Sequence, residues 1–297
     1  MKEYRKYLDP DTIAQLGNLE LKARLIVEGF ITGMHKSPYH GFSVEFSQHR
    51  QYRPGDEIRF VDWRVYGRTG RYYVKEFEEE TNLRAMLAID TSASMGFASK
   101  GNISKFDYAC YLAAAMAMLM IQQRDAVGLT LYNNKIEKFL QPNSKPSYIS
   151  QILSELENTT PSDTTGTAEA LDVLAERIKR RGLVILFSDF FDKQESIIEA
   201  LRHLRHKRHE VLLFHILDPR EIDFDFGAVA NFIDLETNEK LVTQPHQIRK
   251  SYESTIKQFI DNLKKECIHH KVDYNLITTD VPFDKALLDY VIKRQKM

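Results

Sequence analysis

Asp90, Ser92 and Ser94 occupy alternate positions in the stretch Ile89-Asp-Thr-Ser-Ala-Ser94. They offer one carboxylate and two hydroxyls, with no sulfur or imidazole among them. Such hard oxygen donors suit Mg²⁺, Mn²⁺ or Ca²⁺ better than zinc. The plainer alternative is a helix N-cap, since Ser and Thr are favoured there, and a pentapeptide alone does not separate the two. Two further acids, Asp189 and Asp218, and the run Thr164-Thr-Gly-Thr167 lie later in the chain.

The acids share a context. Ala85–Ile89 precedes Asp90, Leu183–Phe187 precedes Ser188-Asp189, and Glu210–Leu217 precedes Asp218. These apolar runs read as strands of a parallel sheet covered by helices on both faces. Residues 125–132 and 136–140 read as two more strands joined as a hairpin at Asn133-Asn134, and 272–277 as a last one. Helical spacing covers 106–122, 148–156, 168–180, 194–206, 245–269 and 283–293, with an edge hairpin within 232–242. This alternation predicts an α/β fold, a doubly wound, mostly parallel, Rossmann-like sheet. Loops of adjacent strands meet above the switch point of such a sheet. Asp90, Ser92, Ser94, a loop threonine and Asp189 are therefore expected to converge on one cation.

Ahead of this sheet, residues 11–33 carry apolar positions at helical spacing, with a break near Gly17-Asn18. Residues 42–77 alternate, are rich in aromatics and are punctuated by Pro54-Gly55 and Thr69-Gly70, which predicts an antiparallel β unit. The expected division is thus 1–82, a small helical plus antiparallel β unit, and 83–297, the α/β domain. In the first unit Arg50, Arg53, Arg59, Arg64, Arg68 and Arg71 interleave with Asp56, Asp62, Glu76 and Glu78 and with Tyr52, Trp63, Tyr66 and Tyr72. Stacking on single-stranded nucleic acid is one reading. The equal mixing of signs favours a charge-paired sheet face instead.

The 297 residues are 43% hydrophobic and 28% charged, with a formal net charge of -1. That balance fits a globular protein and argues against a general polyanion binder. Cys110 and Cys267 are too few and too far apart for a disulfide framework or zinc site, and read as buried apolar residues. The start lacks a signal-peptide core, and no apolar run reaches the roughly 18 residues that span a membrane. A cytoplasmic protein with no integral membrane segment is expected.

Other candidates carry less. A dehalogenase-type hydrolase needs a second acid two residues after its Asp, and Ser92 stands there. Asp223-Phe-Asp225 follows no buried strand and reads as a surface turn. The basic run Arg202-His-Leu-Arg-His-Lys-Arg-His209 ends a predicted helix, where cations suit the dipole. His215, inside an apolar strand, reads as a satisfied core histidine.

On Asp90, Ser92, Ser94, Thr165 and Asp189, the sequence resembles the von Willebrand factor A domain with its metal-ion-dependent adhesion site (MIDAS). Thr165-Gly-Thr-Ala-Glu-Ala-Leu171 lines up with the loop-threonine run, with Thr164 and Thr167 as rivals for its register. The segment Arg50-Gln-Tyr-Arg-Pro-Gly-Asp-Glu-Ile-Arg-Phe-Val-Asp-Trp63, with Arg68 and Val74-Lys-Glu-Phe-Glu78, resembles the domain-of-unknown-function 58 family. The resemblance implies a non-enzymatic protein-interaction module. Ser92, Ser94 and Thr165 would touch Mg²⁺ (or Mn²⁺ or Ca²⁺), and Asp90 and Asp189 would act through water. A partner protein's Asp or Glu would complete the shell, and a MoxR-type AAA+ ATPase is an implied associate. The alternatives are a metal-dependent phosphohydrolase and nucleic-acid binding through the Arg/aromatic hairpins.

Overall fold

The structure, a computed structural model, describes residues 8–35, 49–53, 61, 63–75, 83–162, 164–226, 230–233, 235 and 240–295. It begins with α1 (Pro10–Ala14) and α2 (Leu19–His35), separated at Gly17-Asn18 as the sequence predicts. Asp9 caps α1 by accepting the Thr12 N–H at 3.0 Å. Then follow β1 (His49–Gln51), α3 (Trp63–Thr69) and β2 (Tyr73–Lys75). The strands β1 and β2 pair antiparallel.

The α/β region runs β3 (Arg84–Asp90), a 3-10 turn (Ala93–Gly96), α4 (Lys105–Gln122), β4 (Ala126–Tyr132), β5 (Ile136–Asn143), α5 (Tyr148–Glu157), α6 (Thr167–Arg177), β6 (Leu183–Ser188), α7 (Gln194–His206), β7 (Glu210–Leu217) and α8 (Pro219–Asp223). It closes with β8 (Ala230–Ile233), β9 (Lys240–Thr243), α9 (Pro245–His269), β10 (Asp273–Thr278) and α10 (Phe283–Gln295).

The main sheet has six strands in the order β10-β7-β6-β3-β4-β5. Only β5 is antiparallel. This is the expected doubly wound, mostly parallel α/β fold. From β3 the chain first adds β4 and β5 on one side, then crosses to β6 on the other, so β3 flanks the switch point. Alternation along the strands sends Met86, Ala88, Val184, Leu186, Val211 and Leu213 into one core with α6, α7 and α9. The opposite layer holds α4, packed with α2, α5 and α10. Because α4 is enclosed, its Ala and Met residues are buried nearly all round.

Three expectations need correction. Trp63–Thr69 is helical, not part of a β hairpin. None of its residues is buried, so no apolar stripe marked it. β8 and β9 form a two-stranded sheet of their own rather than an edge of the main one. The domain division also shifts: the compact units are Met1–Lys36 with Leu83–Met297, and Ser37–Asn82. Residues 1–36 join the α/β body because α2 buries Ala23, Ile26, Val27 and Phe30 and packs on α4. Glu157 at the end of α5 accepts the Leu19 N–H at 2.7 Å, and Lys22 Nζ donates to Tyr111 Oη at 2.8 Å.

Of the interleaved charges in the small unit, Arg59, Asp56, Asp62, Glu76 and Glu78 lie outside the described residues, as does the expected strand at 43–46. Tyr66 and Tyr72 stack at 4.4 Å between centroids, and Trp63 is exposed. Among the described residues, no helix is long and apolar enough to cross a membrane.

Candidate functional site

The register aligns Asp90 with Tyr132 and Ile89 with Phe187, so β3 and β6 end side by side. Asp90 and Asp189 are both fully buried there. Asp90 Oδ1 accepts the Ser92 N–H at 2.9 Å. Its Oδ2 accepts Ser188 Oγ–H at 2.6 Å and, more weakly, Thr167 Oγ1–H at 3.4 Å. Ser92 Oγ and Ser94 Oγ are 3.1 Å apart, and the Ser94 hydroxyl is near enough to Asp189 to help hold its carboxyl down. Hydrogen bonds therefore link Thr167, Asp90, Ser92 and Ser94, with Asp189 beside the last of them.

The threonine loop is tied to this chain in two places. Ser162 N–H donates to the Thr91 carbonyl at 2.8 Å, and Thr91 N–H donates to the Tyr132 carbonyl at 2.6 Å. Gly166 lies against the Asn133-Asn134 turn so closely that a Cβ there would stand 2.7 Å from Asn134 Cα. That approach delivers Thr167 to Asp90. Thr165, one position before Gly166, is half-buried. Thr167 is thus hydrogen-bonded to Asp90.

A lysine that the sequence reading missed completes the cluster. Lys105 Nζ, fully buried, lies 2.7 Å from Asp189 Oδ2 and 2.6 Å from Glu221 Oε1. It is the first residue of α4, where the helix dipole disfavours a cation. A lysine there, opening an otherwise apolar helix, was the available signal. Glu221 also was missed, although Asp218-x-x-Glu221 is a readable capping box. Glu221 Oε2 accepts the Asp218 N–H at 2.8 Å. Asp218 itself does not join Asp90 and Asp189. It caps α8 at Arg220 N and holds Ser99 through the N–H and the hydroxyl, at 2.8 and 2.9 Å.

The electrostatics divide the two central acids. Burial and the charge of Asp189 push the Asp90 carboxyl up to about 6, against the hydrogen bonds of Ser188 and Ser92. Burial also pushes Asp189 up, but the Lys105 ammonium, the Phe191 N–H and the Ser94 hydroxyl hold it below the usual range. Burial pulls Lys105 down, and the charges of Asp189 and Glu221 more than offset that. Asp90 has no cationic partner among the described residues. Of the three buried or nearly buried carboxylates here, Lys105 pairs with Asp189 and Glu221 and leaves Asp90 uncompensated. That deficit suits a divalent cation. No group of three or more His, Cys, Asp or Glu among the described residues is placed to hold a metal, so a cation here depends on the Ser and Thr hydroxyls.

The weaker candidates fall mostly as expected. His215 is a core histidine only half satisfied: Nδ1 lies 2.7 Å from Tyr274 Oη, Nε2 has no hydrogen-bond partner among the described residues, and burial lowers the ring to about 4. Asp223 and Asp225 form a surface turn held by Arg220 at 3.5 and 2.7 Å. In the basic run, His203 pairs with Asp172 and Glu176, Arg205 with Glu210 and Lys207 with Glu176 at the surface. Cys110 and Cys267 are buried and free.

Among solved structures, the chain is similar to BatB from Bacteroides thetaiotaomicron, with 17% identity, 72% of this chain and 100% of that chain covered, and a TM-score of 0.48. It is also similar to the SpRpn10 VWA domain, with 12% identity, coverage of 69% and 94%, and a TM-score of 0.38. In sequence it is 31% identical over 229 residues to uncharacterized protein Rv1480 of Mycobacterium tuberculosis, covering 75% of this chain and 70% of that protein. Uncharacterized protein Mb1516 of Mycobacterium bovis matches to the same extent. The family described as Protein of unknown function DUF58 matches residues 48–259, and the chain belongs to it.

Proposed function

We propose that the carboxyl edge of the sheet is a divalent-metal docking site through which this chain binds a partner protein. The observation that carries the reading is the hydrogen-bonded set Thr167, Asp90, Ser92 and Ser94 beside Asp189, largely buried and with no cation on Asp90. Ser92, Ser94 and a residue of the Thr165–Thr167 loop would hold the ion. Asp90 and Asp189 would orient its waters and the hydroxyls. When bound, Mg²⁺ would supply a hard Lewis acid that prefers octahedral oxygen coordination and keeps several waters.

Lys105 sharpens the assignment of roles. By holding Asp189 Oδ2, it leaves that carboxylate less free to bind the ion directly. With few anionic groups on the metal, a carboxylate from outside gains more by joining it. Hence the partner is expected to present an Asp or Glu. A MoxR-type AAA+ ATPase is the partner that the sequence resemblance implies, in assembly or maturation of a client.

Calorimetric titration with Mg²⁺ and Mn²⁺ tests the site. Saturable binding is expected for the wild type and its loss for Ser92→Ala/Ser94→Ala and for Asp90→Ala. Equal heats in all three would remove the site. Binding of a purified MoxR-type ATPase, compared in Mg²⁺ and in EDTA, then tests the partner. Metal binding without EDTA-sensitive association would keep the site and discard that partner.

A further inference from the structure

The opposite edge of the sheet, where the parallel strands begin, encloses a cavity of about 300 Å³. Arg84 at the start of β3, Arg177 at the end of α6, and Lys179 and Arg180 just beyond it supply four cations to its wall, and no Asp or Glu lines it. Two acids of the adjoining elements are engaged elsewhere: Glu210 pairs with Arg205 at 2.8 Å, and Glu176 with Lys207 at 2.7 Å. Arg84, Arg177, Lys179 and Arg180 have no carboxylate partner among the described residues.

A further feature points to a ligand. The lining includes Met86 and Phe139, with the Arg177 guanidinium 5.9 Å from the Phe139 ring centroid. The cavity therefore joins an apolar wall to several guanidinium groups. Guanidinium pairs match the oxygens of a phosphate, which also spreads its double charge over more than one cation. The volume lies at the small end of ligand sites.

We propose that this cavity binds a small organic phosphate, with the phosphate held by Arg84, Arg177 and Arg180 and the organic part against Phe139 and Met86. Close packing of the backbone forms one side of the pocket: a Cβ on Gly182 would stand 2.2 Å from the Arg84 carbonyl oxygen.

Calorimetry on the full chain in EDTA, which removes any phosphate binding through a metal, provides the test. Phenyl phosphate is the probe, with inorganic phosphate and phenol alongside. Saturable binding of phenyl phosphate is expected, tighter than that of inorganic phosphate, with no heat from phenol. Arg177→Gln/Arg180→Gln, both at exposed positions, should weaken it roughly tenfold or more, as expected for lost charge-assisted hydrogen bonds. Arg180→Gln repeats the test singly, should the double variant misfold. Asp90→Asn should leave binding unchanged. Absence of saturable binding at millimolar phenyl phosphate overturns the proposal. So does equal affinity for inorganic phosphate, or an equal loss in Arg202→Gln, which changes net charge on a different surface.

Discussion

Lys105 Nζ and Asp189 Oδ2 stand 2.7 Å apart with both side chains out of water. One element of the candidate cation site is therefore already neutralised from below by α4, whereas Asp90 is not. The pair ties the fold to the site: the helix that fills one face of the sheet begins with the ammonium that sets the charge of a strand-end acid.

Replacing that ammonium separates its structural and electrostatic roles. Lys105→Met keeps the length of the side chain but leaves Asp189 and Glu221 buried and unpaired. Breaking a buried pair in this way costs roughly 3–5 kcal/mol. Urea unfolding in EDTA should show that loss. Mg²⁺ should restore part of it, and should stabilise the variant more than the wild type, since the ion then compensates a larger deficit. An equal Mg²⁺ effect on both proteins would mean that Lys105 and the ion do not share a field.

The pH dependence of the metal-free protein carries two opposed contributions. Asp90 is raised from 3.8 to about 6. Its ionisation therefore disfavours the folded state, a cost that grows as pH rises from 3.8 and is complete above 6, roughly 3 kcal/mol. His215 is lowered from 6.5 to about 4. Its contribution is present in full above 6.5 and is lost as pH falls toward 4, again roughly 3 kcal/mol. The two nearly cancel between pH 4 and 6. Asp90→Asn removes only the first, so its stability relative to wild type should rise with pH across that window, measured by denaturant unfolding at pH 4, 5, 6 and 7. A flat difference would show that Asp90 is not the group that burial perturbs.

Gly166→Ala probes the threonine loop. The added Cβ would stand 2.7 Å from Asn134 Cα and 3.0 Å from Asn134 Cβ, so backbone has to move. Crowding of this kind costs roughly 1–3 kcal/mol. The displacement carries Thr165 and Thr167 with it, and Mg²⁺ affinity should fall by roughly tenfold, as for other changes to groups that position metal ligands. Gly17→Ala is the control, because nothing lies within 4 Å of a Cβ there. Unchanged Mg²⁺ affinity in Gly166→Ala would take the loop out of the site.

Strand ends were legible because the chemistry changes abruptly there. Leu183–Phe187 is wholly apolar and Ser188-Asp189 is not, so the place where the chain leaves the sheet is written in composition. α7 and α9 match their expected limits, 194–206 and 245–269, for the same reason. The convergence of Asp90 and Asp189 follows from the switch-point rule, a property of topology rather than of local sequence. Partners across the fold were not legible. Nothing near Lys105 in sequence announces Asp189, 84 residues away, and nothing near Thr167 announces Asp90. Trp63–Thr69 failed differently: a helix that buries nothing leaves no periodic apolar signal.

The placement of α2 has a direct consequence for truncation. Residues 1–36 cluster with the α/β body and not with 37–82. Within α2, Ile26 is fully buried, in a helix that packs on α4 and α10. Removing α2 would expose the Ala- and Met-rich surface of α4, which carries no charge between Asp107 and Gln122 to keep it solvated. Deleting residues 1–36 should therefore yield an aggregating product. Ile26→Ala, a milder version, should destabilise the α/β body by roughly 2–5 kcal/mol. The reading requires that loss to appear in the single unfolding transition that also reports the sheet, followed by far-ultraviolet circular dichroism. If Ile26→Ala instead shifts a separate, early transition and leaves the main one in place, α2 is an appendage and the sheet is closed on that face without it.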